Sequence, residues 1–214
     1  MLQIRQNLIS IIKRLTSEKR PNFIIDTLCL ALTYVIFHTH QIGSYVDELK
    51  GSLATTAAEM ISLANVTKLI ASECENDDIV IEESLRESMY NNIDLVCVNL
   101  LTEGLNKAAE DILSGTHHLF ASTPADRKPL EMRLLKLELV RSMTSWMKLK
   151  LPNQIICDIH KTNSAMFNLI FSELNEPQQS EDNYTAATDC IIQLLTLSKK
   201  SREFKDLADF MLAQ

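Results

Sequence analysis

The chain has 214 residues, 46% of them hydrophobic, with only 4 Gly and 5 Pro. Such a composition supports a sizeable core, excludes disorder as the default and lacks the turn density that a sheet protein needs. A formal net charge of -7 opposes direct nucleic-acid binding, which depends on clustered Lys and Arg.

From the N-terminus, Ile4, Leu8, Ile11 and Leu15 recur at helical spacing, with Arg5, Gln6, Asn7 and Lys13 off their stripe. This predicts an amphipathic outer helix, too interrupted by charge for a secretory signal. Pro21 then blocks helix continuation, and Asn22 is placed to cap a second helix whose apolar residues cover nearly its whole circumference. Its apolar run, Phe23 to Phe37, contains Asp26 and falls short of the roughly 20 residues that cross a bilayer. A core helix, with no membrane insertion, is the expectation.

A turn around Gln41 to Ser44 leads to helices near Tyr45 to Leu53 and Ala57 to Ala71, followed by a charged loop from Glu73 to Asp78. Ile93, Cys97, Leu100, Leu101, Leu105, Ala108 and Ile112 define a long helix. Its packing must outweigh Gly104, which costs about 1 kcal/mol relative to Ala in an exposed helix interior. Gly115 is placed to end that helix in the left-handed conformation. Past a polar loop to Pro129, the stripe Leu130, Leu134, Leu137, Val140, Met143 and Met147 predicts a helix ended by Pro152. Ile155, Ile159, Met166, Ile170 and Leu174 continue the pattern on the next. Beyond the polar run Glu176 to Asn183 come a helix holding Ala187, Cys190, Ile191 and Leu194 and a last one holding Phe204, Leu207, Ala208 and Met211.

The expected fold is therefore all-α: one array over residues 1–214 of about five antiparallel helix pairs, each roughly 35 to 45 residues long, the period of HEAT and armadillo repeats. Polar linkers fall near 73–78, 115–129 and 176–183. Period alone does not separate a solenoid from a closed bundle. The alternation of striped with nearly all-apolar helices favours the HEAT-like solenoid, because inner repeats are covered on both sides.

Several segments carry a family resemblance. Leu134 to Pro152 reads LLKLELVRSMTSWMKLKLP and resembles the helix of the importin-beta (karyopherin) superfamily, transportin-SR and importin-thirteen branch, that ends in a Ser-Trp pair, an apolar position and a proline. Ser145, Trp146, Leu149 and Pro152 match that pattern. Asn183 to Leu195, with Ala187, Asp189 and Cys190, and the first helix, IRQNLISIIKRL, are also similar to segments of the family. The resemblance implies a nuclear transport receptor that binds protein cargo, a Ran-type small GTPase and nucleoporins and works in nucleus and cytoplasm. It also implies further repeats ahead of Met1, where much of the GTPase contact belongs. A helical-repeat scaffold or adaptor without a transport role is the alternative.

The strongest partner-binding candidate is the acidic run Glu73, Glu75, Asp77, Asp78, Glu82 and Glu83, continued by Glu87. It can steer a basic cargo segment, although charge runs are more often simply solvated. Trp146 lies on a helical stripe and reads as packing before contact. His38 with His40, and His117 with His118, lack the Cys or carboxylate spacing of a metal motif. Cys157 and His160 are three apart but no nucleophile elbow accompanies them. No phosphate-binding loop or dinucleotide fingerprint occurs, so neither catalysis, cofactor nor metal is expected. The basic clusters at Lys13 to Arg20, Arg127 with Lys128, and Lys199 to Lys205 read as ordinary helix ends and loops. Five well-separated cysteines, Cys29, Cys74, Cys97, Cys157 and Cys190, read as reduced, buried thiols.

Overall fold

The computed structural model describes residues 2–38, 42–74, 76, 82–92, 95–96, 98–149, 159–175, 180–198 and 209. Every regular element among them is helical. The helices are α1 (Leu2–Ser17), α2 (Asn22–Phe37), α3 (Ile42–Leu53), α4 (Ala57–Cys74), α5 (Glu83–Asn91), α6 (Asn106–Leu113), α7 (Lys128–Lys148), α8 (Ser164–Asn175) and α9 (Glu181–Ser198). A π-helical segment, Val98–Leu105, runs into α6, and a 3-10 turn, His118–Phe120, precedes α7.

These elements form two rows. In one, α2, α4, α7 and α9 lie side by side in that order; in the other, α1, α3, the π segment with α6, and α8 do the same. Helices adjacent in sequence pack across the rows, which makes four pairs among the described residues. Only α5 departs from this order, packing on α2. Apart from Asp209, the final helix expected over Phe204 to Met211 falls outside the described residues, as do Pro152 and Cys157.

The first helix is rotated from its expected face. Ile4 is 51% exposed, whereas Arg5, Ile9, Ile12 and Thr16 are buried. Arg5 can take a core position because a guanidinium is planar and weakly hydrated. It lies 3.4 Å from the centroid of the Tyr45 ring and pairs with Glu48 at 2.5 Å. The second helix also differs from expectation. Its N-cap is Pro21, so Asn22 already sits in the first turn and forms no side-chain cap. Nor is α2 covered all round: Cys29, Leu32, Ile36 and Phe37 are buried, but Phe23 is 70% exposed.

At the centre, α4 and α7 meet on a seam of small residues that lets the helices approach closely. Ala64, Thr67 and Ser142 are buried there. The Ser142 hydroxyl donates to the Ala64 carbonyl at 2.5 Å, and the Trp146 indole N–H donates to the Thr67 carbonyl at 3.0 Å. Both contacts advance together along the two helices, so α4 and α7 run in the same direction. Trp146 is fully buried and is thus a packing residue. Leu149, also buried, turns extended and ends α7. A second buried polar cluster ties α7 to α8 and α9. Glu173 accepts from Lys136 at 2.6 Å and from Asn183 at 2.9 Å. Asn183, expected in a linker, lies in the first turn of α9, where the Ser180 hydroxyl accepts from its backbone N–H.

The long helix expected from Ile93 to Ile112 changes register. Its π-helical part keeps Leu100, Leu101 and Leu105 all fully buried, at the cost of poorer backbone bonding. A Cβ on Gly104 would meet only ordinary contacts, the nearest being the Asn99 carbonyl at 3.7 Å. Gly104→Ala should therefore stabilise the fold by about 0.5 to 1 kcal/mol through the unfolded chain's lost freedom; urea denaturation measures this.

Gly115 does adopt the left-handed conformation, at φ +71. The turn after it is organised by Asp111, whose carboxylate accepts from the Thr116 hydroxyl at 2.7 Å and from the His118 and Leu119 amides at 2.9 and 3.2 Å. Burial works against its ionisation, but these bonds outweigh burial and hold the carboxyl below its ordinary value. A depressed carboxyl contributes stability that is present above the unfolded value, 3.8, and lost as pH falls through the folded one. Asp111→Asn should cost about 1 kcal/mol at neutral pH, and the difference from wild type should shrink on acidification below that range, as followed by denaturant titration.

Candidate functional site

The N-terminal halves of α2, α4 and α7 enclose a groove of about 580 Å³. Its apolar wall arises because each helix turns a partly covered stripe toward its neighbours: Ile25 on α2, Ile61 on α4, and Leu130, Leu134 and Leu137 on α7. Leu130 is 50% exposed. The expected α7 stripe is therefore buried only from Leu137 onward, and its first turns open into the groove.

Polar groups along this face are connected across helices. Asn65 on α4 donates to the Asp26 carboxylate on α2 at 2.7 Å. One helix further on, Glu138 of α7 accepts from Lys68 of α4 at 2.7 Å and from Arg141 at 3.1 Å. Burial pushes the Asp26 carboxyl above its ordinary value; Lys68 opposes that shift and Glu138 reinforces it. Basic side chains stand around the opening: Lys19 and Arg20 from the α1–α2 turn, Arg127 just ahead of α7, and Arg141. Lys19 has a positive φ of 56, a strained conformation for a residue with a Cβ. Thr16, on the same wall, has a buried hydroxyl with no hydrogen-bond partner.

The acidic run falls elsewhere. Glu73 is half-buried near the C-terminal end of α4 and accepts from Asn76 at 2.8 Å. Eleven residues of helix separate it from Ser62 in the groove, roughly 16 Å. Glu82 and Glu83 are exposed, Glu83 opening α5, where an acidic side chain suits the helix N-terminus. Glu75, Asp77 and Asp78 lie outside the described residues. The groove itself escaped sequence reading because its charged members sit in two segments about a hundred residues apart, 19–26 and 127–141.

The other candidates among the described residues make contacts within the protein. The His38 ring bonds the Tyr34 carbonyl at 2.7 Å, the His117 ring meets Phe120 edge-on, and the His118 backbone N–H donates to the Asp111 carboxylate. His40 and Cys97 lie outside the described residues. His160 is buried. No group of three or more His, Cys, Asp or Glu among the described residues could hold a metal ion. Cys29, Cys74 and Cys190 are buried free thiols, and burial pushes Cys29 and Cys190 up to about 12. No helix among the described residues is long and apolar enough to cross a membrane. No family model, curated protein or solved structure matches this chain.

A carboxyl raised in the folded state destabilises as it ionises, so stability falls as pH rises from 3.8 through the folded value. Asp26→Asn, which can still accept from Asn65, should raise the melting temperature at neutral pH. Thermal scans of both proteins should converge at pH below 3.8.

Proposed function

We propose that the chain is a HEAT-like helical-repeat array that works by binding other proteins, as a nucleocytoplasmic transport receptor or a segment of one. The observation that carries this reading is the order of the helices. Successive pairs stack so that the second helices form one row and the first helices another, the arrangement by which repeat proteins build an extended surface. Two features add support. The segment with the karyopherin-like Ser145–Trp146 pair lies on the α4–α7 seam, where its Trp closes the packing between successive pairs. Ala187 and Cys190 of the second karyopherin-like segment are fully buried, where α9 joins the row.

In this reading the row of α2, α4, α7 and α9 supplies the partner surface, and binding needs no covalent chemistry. Partners are protein cargo, a Ran-type GTPase and nucleoporins, and the protein works in both nucleus and cytoplasm. Immobilised chain should retain the GTPase loaded with GTP more strongly than with GDP, with cargo released in parallel. Retention of partners with no nucleotide dependence would sink the transport reading and leave a helical-repeat adaptor. Retention of nothing from nuclear or cytoplasmic extract would sink both.

A further inference from the structure

We propose that the groove between α2, α4 and α7 docks a short acidic segment of a partner protein, one in which carboxylates alternate with apolar side chains. This names the partner class of the protein-binding surface and rests on that reading. The fold brings together cations that are scattered in the sequence. Lys19 and Arg20 come from the α1–α2 turn, Arg127 from the residue before α7, and Arg141 from more than three turns further along it.

The groove is lined by four cations, Lys19, Arg20, Arg127 and Arg141, and three carboxylates, Asp26, Glu131 and Glu138, a small positive excess on a chain that is negative overall. The carboxylates at the groove are engaged by the protein itself: Glu138 by Lys68 and Arg141, Asp26 by Asn65, and Glu131 by the Thr123 hydroxyl at 2.7 Å. Among the described residues, Lys19 and Arg127 pair with no carboxylate. Arg20 has only the exposed Glu18, at 3.1 Å. Two cations at separate points of the opening are therefore uncommitted, on a chain of net charge -7. Both are exposed and hydrated, and a partner that carries negative charge complements them.

The wall between those cations selects the rest of the ligand. Ile25, Ile61, Leu130 and Leu134 line it, and burying them rewards apolar side chains. Among the described residues no aromatic side chain lines the groove, so a single-stranded nucleic acid would find its phosphates answered but no platform there on which bases stack. The volume of about 580 Å³ lies within the range of clefts that hold compact ligands, which fits a few side chains of a peptide and not a folded domain. Lys19 is held at the opening in the left-handed conformation, which costs free energy that a glycine there would spare.

That last point supplies a clean test. Lys19→Gly removes a cation while relaxing the backbone, so weaker binding cannot come from unfolding. Fluorescence anisotropy on the full chain, with a labelled short peptide of alternating glutamate and leucine, should give saturable, salt-sensitive binding. Lys19→Gly with Arg127→Gln should weaken it about tenfold with no loss of thermal stability, and Asp26→Asn should tighten it. Replacing glutamate by glutamine, or leucine by serine, in the probe should each weaken it by a similar factor. The proposal is overturned if no saturable binding occurs, if the double variant binds as wild type does, or if oligothymidylate competes as well as the peptide. Partners retained by the immobilised chain alongside any of these outcomes would leave the protein-binding reading standing without the groove.

Discussion

Two side-chain hydrogen bonds from α7 to carbonyl oxygens of α4 set the geometry on which the other contacts depend. Each carbonyl lies inside a helix, yet each accepts an additional donor, Ser142 at one and Trp146 at the other. A serine hydroxyl can reach a neighbouring backbone only if the helices pass closely, and the small residues at the crossing permit that approach. The indole then fills the space that opens one turn further on. With separation and direction fixed on this seam, α2 takes the outer side of α4, α9 the outer side of α7, and the first helices of each pair cover the back.

The same constraint shapes the exposed face. Close packing at Ala64 and Ser142 leaves the preceding turns of both helices at the edge of the contact, and there the apolar stripe is left open as a groove. The charged side chains just beside the seam are linked from helix to helix through Lys68, Glu138 and Arg141. Such partly buried pairs give little net stability, since desolvation offsets attraction, but they fix which neighbours lie opposite one another. Fixed charges beside an apolar wall make the face selective about what lies on it.

Local signals were legible in the sequence where one residue type decides the backbone. The left-handed Gly115, the buried thiols of Cys29, Cys74 and Cys190 and the packing role of Trp146 follow from the residue and its spacing. Readings failed where two faces of a helix are equally apolar. On α1, Ile4 and Leu8 compete with Ile9 and Ile12, and the outcome was decided by Arg5, whose aromatic and carboxylate partners lie forty or more residues away at Tyr45 and Glu48. The π register was hidden because a run of leucines fits more than one helical period. The groove was illegible for a different reason: Lys19 and Arg20 share it with Arg127 only through the stacking of helices, since more than a hundred residues of chain separate them. The acidic run, conspicuous in sequence, sits at the other end of α4 from that groove.

The row arrangement also has a mechanical side. Because α2, α4, α7 and α9 make their main contacts with the next helix in line, a displacement at one end reaches the other through three joints in series. In such a chain of springs the softest joint governs the total compliance. The central joint is pinned by two hydrogen bonds to backbone and the last is braced by the Glu173 cluster. The joint between α2 and α4 rests on the Asn65–Asp26 bond and a 3.9 Å thiol contact from Cys29 to the Ser62 carbonyl. Bending should concentrate there, so that α2 acts as the adjustable jaw of the groove against a stiffer pair.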